Sequence, residues 1–159
     1  MKKLKNGSRK TRLFLDSSVL FSAVWSVTGG AAKIISWASE NKIIAVVSKN
    51  VIAEVESNVG KKMAEIFWPR LETLLLFLEI DRTTTDKQEF EKAKEVIISK
   101  DAVILVDAKR CKADVLVTLD KKDMLQLKVR KFMHPIKIMT PGEVIKMLEF
   151  NNAQEEINN

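Results

Sequence analysis

Asp16 and Asp120 each follow directly on a short apolar run, Leu13-Phe14-Leu15 and Val115-Leu116-Val117-Thr118-Leu119. An acid so placed stands at the end of a strand, where it either caps the next helix or serves a site. Asp101 is the third candidate. At helical spacing it shares a face with Ile104, Leu105 and Ala108, whereas Asp107 falls about a third of a turn away and is expected to face solvent. A carboxylate at the head of an apolar stripe needs a partner or a cation, because burying a bare charge is costly. The fourth candidate lies on the helix expected after Ile43-Ile44-Ala45-Val46-Val47. Glu54 and Glu56 occupy opposite shoulders of its stripe Val51, Ile52 and Val55, with Asn58 one turn beyond Glu54. Periodicity does not choose between the two glutamates. Each acid alone reads as a cap or a solvated side chain; together at one sheet edge they favour a site. Several carboxylates there cannot all stay ionised without a counter-charge, and Mg²⁺ or Mn²⁺ suits such an all-oxygen cleft. A divalent ion in that position activates water and stabilises charge developing on a phosphodiester.

Composition narrows the alternatives. The chain of 159 residues contains one histidine, His134, one cysteine, Cys111, and no tyrosine. A zinc site built on several histidines or cysteines is therefore excluded, as are a disulfide framework and a tyrosine nucleophile. Any catalytic triad would depend on His134, which sits in Phe-Met-His-Pro and reads as a loop residue. No apolar run approaches the roughly 18 residues that cross a bilayer. The start, MKKLKNGSRKTR, has no apolar segment of the secretory type. The expectation is a cytoplasmic protein without a membrane partner.

The elements that must hold these acids alternate. Strands are expected at Leu13–Leu15, Ile43–Val47, Val115–Leu119 and Ile136–Met139, with a short one at Leu78–Ile80. Helices are expected from Val19, from Ala31 to Asn41, after Ser48, and from Met63 to Phe77 with an interruption at Pro69. Others are expected from Thr85 or Asp86 to about Ser99, and from Asp101 to Lys112. Thr140-Pro141-Gly142-Glu143 combines a cap, a first-turn proline and a capping box ahead of a last helix, Val144–Phe150. Such alternation argues for a three-layer α/β/α domain around a mainly parallel sheet, an architecture that binds ligands at the carboxyl ends of its strands. The length allows one domain: residues 1–11 as a basic tail, 12–150 as the domain and 151–159 as a polar tail.

The formal net charge is +6, and its location matters more than its size. Lys2, Lys3, Lys5, Arg9, Lys10 and Arg12 precede every acid, and from residue 13 onward the basic residues balance the acidic ones. The pI is thus a weak argument for nucleic-acid binding. A local basic stretch is more specific. Lys109, Arg110, Lys121 and Lys122 lie to either side of Val115–Leu119, with Lys128, Arg130 and Lys131 beyond, and are candidates for gripping backbone phosphates. Trp25 is a candidate for base stacking, whereas Trp37 and Trp68 fit apolar faces.

Four segments resemble the motifs of PIN-domain nucleases, VapC-like toxins among them. Leu15-Asp16-Ser17-Ser18-Val19-Leu20-Phe21-Ser22-Ala23 is similar to the first, and Val47-Ser48 with Val51-Ile52-Ala53-Glu54-Val55 to the second, which selects Glu54. Lys100-Asp101-Ala102-Val103-Ile104-Leu105 is similar to the third, and Ala113 to Asp123, with an acid after a Val-Thr strand, to the fourth. The motifs stand in the family's order between about residues 12 and 149. Ser18 departs from the pattern, which usually has asparagine there. The resemblance implies a PIN-like α/β/α fold, an acidic site for Mg²⁺ or Mn²⁺, and cleavage of single-stranded RNA. In many members it also implies the toxin role of a toxin–antitoxin pair, with an antitoxin protein and a second copy of the chain as candidate partners. It assigns Asp16, Glu54, Asp101 and Asp120 as the site acids, with Asp16 and Asp101 as direct ligands and Asp120 and Asp123 as supporting or second-metal acids. The rival reading is a non-catalytic PIN-like module that binds RNA or protein. Haloacid dehalogenase relatives expect a second aspartate where Ser18 stands, receiver domains expect paired acids at the first strand end, and dinucleotide-binding domains need a glycine-rich first turn.

Overall fold

The computed structural model describes residues 9–158; residues 1–8, most of the expected basic tail, lie outside the described residues, as does Asn159. Five strands form one sheet: β1 (Arg12–Leu15), β2 (Ile44–Ser48), β3 (Glu79–Asp81), β4 (Val115–Val117) and β5 (Lys137–Met139). Their order is β3-β2-β1-β4-β5 and every pairing is parallel. Leu13, Phe14 and Leu15 of β1, together with Leu116 and Val117 of β4, are fully buried, as expected for central strands covered on both faces. Successive strands run outward from β1 through β2 to β3, and then from β4 to β5 on the other side. The direction of travel therefore reverses between β1 and β4, the crevice in which α/β sheets hold ligands.

Eight helices among the described residues cover the sheet, giving the three-layer α/β/α architecture. They are α1 (Ser17–Trp25), α2 (Gly30–Ser39), α3 (Lys49–Lys62), α4 (Phe67–Leu75), α5 (Lys87–Lys94), α6 (Ser99–Arg110), α7 (Leu127–Met133) and α8 (Pro141–Ile157). α1 packs against α2, α3 and α4, α8 packs on α2, and α5 packs on α6. Local chemistry sets the starts. Asp16 caps α1, the Ser48 hydroxyl accepts from Val51 N–H at 3.3 Å to cap α3, and Asp86 caps α5. Thr140 and Glu143 form the capping box of α8.

Several boundaries differ from the sequence reading. α4 begins at Phe67 instead of Met63, so Pro69 sits in its first turn, where its missing N–H interrupts nothing. α5 stops at Lys94. α7, which the sequence reading leaves unassigned, buries Val129 and Met133 one turn apart. α8 continues past Phe150 to Ile157 with its last residues exposed. Among the described residues no single helix is long and apolar enough to cross a membrane.

Candidate metal centre

The sheet order brings the ends of β1 and β4 side by side, so Asp16 and the segment Thr118–Asp120 meet across the crevice. Asp16 is 5% exposed and does two jobs at once. As the cap of α1, its Oδ1 accepts from the Ser17 N–H at 2.7 Å and the Ser17 hydroxyl at 3.3 Å. Its Oδ2 accepts from the Ser18 hydroxyl at 2.9 Å and from the fully buried Thr118 hydroxyl at 2.8 Å. Each hydroxyl also accepts a backbone N–H from the far strand end. Leu119 donates to Ser18 Oγ at 3.1 Å and Asp120 to Thr118 Oγ1 at 3.0 Å. Asp120 Oδ1 in turn accepts from Asp123 N–H at 3.0 Å. A continuous chain of hydrogen bonds thus runs from Asp16 through Asp120 to Asp123.

Asp101 enters from the first turn of α6 and completes the cluster. Asp101, Asp120 and Asp123 each offer a carboxylate oxygen, and the three oxygens lie within 4.8 Å of one another. Asp101 Oδ2 is buried and accepts no hydrogen bond. Burial first, then the negative charges of Asp16, Asp120 and Glu54, push the Asp101 carboxyl up to about 6, against the pull of Lys100. Glu54 is exposed on α3 and faces the cluster at electrostatic range without joining the close trio. An all-carboxylate donor set with one orphaned buried oxygen fits a hard divalent cation of the Mg²⁺ or Mn²⁺ kind. All three belong to the metal-site acids expected from the sequence; Asp16, expected with them as a direct ligand, lies outside this close trio, its two carboxylate oxygens accepting from serine and threonine donors.

Two of the basic residues expected at an RNA surface, Lys109 and Arg110, stand in the last turn of α6, at the opposite end from Asp101. Arg110 is nine residues beyond Asp101, about 13 Å along the helix axis. Its guanidinium donates to Asp81 Oδ2 at 2.8 Å through Nε and pairs with Asp107 Oδ1 at 2.9 Å. Lys109 holds its ammonium 3.6 Å from the centre of the Phe132 ring. Lys121 and Lys122, by contrast, are exposed in the turn directly after Asp120. Asp107 itself does not face solvent: it is fully buried, accepting from Asn50 at 2.8 Å and from Thr85 at 3.1 Å and forming an ion pair with Arg110. Burial alone would raise the Asp81 carboxyl, but hydrogen bonds from Thr83, Arg110 and Cys111 hold it far below the usual carboxylate range. Burial and the neighbouring Asp81 charge push the Cys111 thiol up to about 12, so it is inert at neutral pH. This network ties α3, β3 and α6 together at a distance from the acids. Trp37 and Trp68 pack against the core as expected, and Trp25 stacks on Phe67 with ring centroids 5.4 Å apart.

A family model described as PIN domain matches residues 12–122. The chain belongs to the PIN-domain family. That span carries β1 to β4 and four of the five acids, Asp123 following immediately after it. Sequence comparison with curated proteins gives no match. Solved structures agree on the fold. A chain of VapBC2 from Rickettsia felis, solved bound to a DNA fragment from their promoter, is 19% identical with a TM-score of 0.64, over 82% of this PIN domain chain and 98% of that one. VapC20 from Mycobacterium tuberculosis, a sarcin-ricin loop cleaving toxin, is 15% identical with a TM-score of 0.51, over 71% of this chain and 93% of its own. A chain of FitAcB from Neisseria gonorrhoeae is 14% identical with a TM-score of 0.55, over 81% and 97% respectively.

Proposed function

We propose that this PIN domain is a metal-dependent endoribonuclease that hydrolyses phosphodiester bonds in single-stranded RNA, acting as the toxin of a toxin–antitoxin pair. The observation that carries the reading is the buried, unpartnered Asp101 Oδ2 beside the converging oxygens of Asp120 and Asp123. Mg²⁺ or Mn²⁺ bound there supplies an activated water and neutralises charge developing on the phosphate. Asp101, Asp120 and Asp123 would hold the ion; Asp16 orients the β4 end, and Glu54 faces the cluster as an acceptor for protons leaving the water. Neither His134 nor Cys111 is required. Lys121 and Lys122 stand where the RNA backbone would approach, and their charges would offset the acids during docking. The likeness to VapC20, a sarcin-ricin loop cleaving toxin, supports the nuclease toxin reading, and the likeness to VapBC2 supports an antitoxin partner. Exposed Trp25, Val27 and Ile66 offer apolar surface for such a partner or for a second copy of the chain.

Cleavage of a fluorogenic single-stranded RNA tests the reading. Turnover is expected with Mg²⁺ or Mn²⁺, and none with EDTA or in Asp101→Asn. Cleavage that persists in EDTA, or in the variant, would refute the metal mechanism. A wild-type protein that binds RNA without cutting it would favour a binding module instead.

A further inference from the structure

The hydrogen bonds around Asp16 assign a role to a residue outside the acid set. We infer that Ser18 is a positioning residue that aims Asp120 by fastening the end of β4 to Asp16; its effect on the ion rests on the metal-nuclease reading above. The Ser18 hydroxyl donates to Asp16 Oδ2 at 2.9 Å and accepts from the Leu119 N–H at 3.1 Å. Thr118 repeats the arrangement one residue along, donating to the same oxygen at 2.8 Å and accepting from Asp120 N–H at 3.0 Å. Two hydroxyls thereby tie one carboxylate oxygen to two consecutive backbone amides. Leu119 is exposed and Asp120 only half-buried, so side-chain packing does little to fix this segment.

The two clasps differ in kind. Thr118 acts from within the strand end it fixes. Ser18 reaches across from α1, so it sets the β4 end relative to β1 and makes the placement of Asp120 beside Asp101 depend on Asp16. A serine oxygen is donor and acceptor together, and the O–H spent on Asp16 leaves lone pairs for the Leu119 amide. Asparagine could supply the same pair of interactions through its separate amide nitrogen and oxygen. Alanine supplies neither. Groups that orient metal ligands are worth roughly 10–100-fold in metal affinity or activity.

Ser18→Ala and Ser18→Asn distinguish this role from simple packing. In metal-free protein, amide hydrogen exchange at Leu119 and Asp120 should speed up about tenfold in Ser18→Ala and return toward wild type in Ser18→Asn. Calorimetric titration with Mn²⁺ should show affinity falling at least tenfold in the alanine variant, with recovery to within a few-fold in the asparagine variant. Both variants should keep the wild-type far-ultraviolet circular dichroism spectrum. Unchanged exchange and unchanged Mn²⁺ affinity in Ser18→Ala would overturn the assignment, as would equal loss in both variants. If wild-type protein binds no Mn²⁺, the metal reading fails, and the exchange rates alone decide for or against the clasp.

Discussion

Asp101→Asn should stabilise the metal-free protein while removing its capacity to hold an ion. The Asp101 carboxyl is raised from 3.8 to about 6, chiefly by burial and then by the charges of Asp16, Asp120 and Glu54. At about 1.4 kcal/mol per pH unit, that shift corresponds to about 3 kcal/mol of cost for keeping the group ionised in the fold. Asp101 is only half-buried, and solvent screening reduces the figure to about 1–2 kcal/mol. The sign follows from a folded-state value above the unfolded one. The cost is fully present above about pH 6, shrinks as pH falls through that value, and is gone below 3.8. Asparagine carries no charge to suppress, so in EDTA at pH 7.5 the variant should melt roughly 4 °C higher than wild type, at about 2–4 °C per kcal/mol for a chain of this size. At pH 4.5 the difference should narrow. Mn²⁺ at a hundred times its Kd adds about 2.7 kcal/mol to a protein that binds it, so wild type should overtake the variant. Differential scanning fluorimetry reads all three conditions. A variant that melts at or below wild type in EDTA at pH 7.5 would refute the claim that Asp101 is held under electrostatic stress. An equal Mn²⁺ response in both proteins would place the ion elsewhere.

Three further outcomes are expected. Arg110→Ala leaves fully buried Asp107 without its cationic partner, and urea denaturation should show a loss of about 3 kcal/mol; Mn²⁺ affinity should stay unchanged, because the network lies at the other end of α6. Lys121→Ala and Lys122→Ala should raise the KM for RNA with kcat nearly constant, and each should lower the slope of log affinity against log salt by about one; a fall in kcat alone would contradict a backbone-docking role. Leu105→Ala, at a fully buried position of α6, should cost about 2–5 kcal/mol in the same denaturation assay.

The sheet was legible because β1, β2 and β4 are short apolar runs with acids, serine or threonine at their ends, the pattern expected of covered parallel strands that lead into capped helices. Asp101 was legible for a related reason: its stripe partners Ile104, Leu105 and Ala108 are buried as their spacing requires. Asp107 was not. An apolar stripe counts hydrophobic residues only, while Asn50, Thr85 and Arg110 arrive from three other positions to satisfy that carboxylate inside the protein. Asp81, distant in sequence, likewise draws the Arg110 guanidinium into this network and leaves it only partly exposed. α7 escaped notice because a seven-residue helix with two buried positions shows no period, and α8 outran its apolar pattern because Asn, Gln and Glu extend a helix without needing a core. How close each acid comes depends on loop geometry that spacing does not show: the turn after Asp120 folds Asp123 back toward Asp101, and adjacent hydroxyls donate to the oxygens of Asp16. The Ser18 clasp had a visible sequence sign, a hydroxyl two residues after the first acid, but no partner could be named before β1 and β4 were known to be neighbours.

The most direct test of the metal centre is a crystal structure of the wild-type protein soaked in Mn²⁺, with data collected for anomalous difference density. A single strong peak is expected within about 2.6 Å of carboxylate oxygens from Asp101 and at least one of Asp120 and Asp123, absent from Asp101→Asn crystals treated alike. Saturating Mn²⁺ that leaves no peak among these three residues, or a peak that persists in the variant, would contradict the assignment.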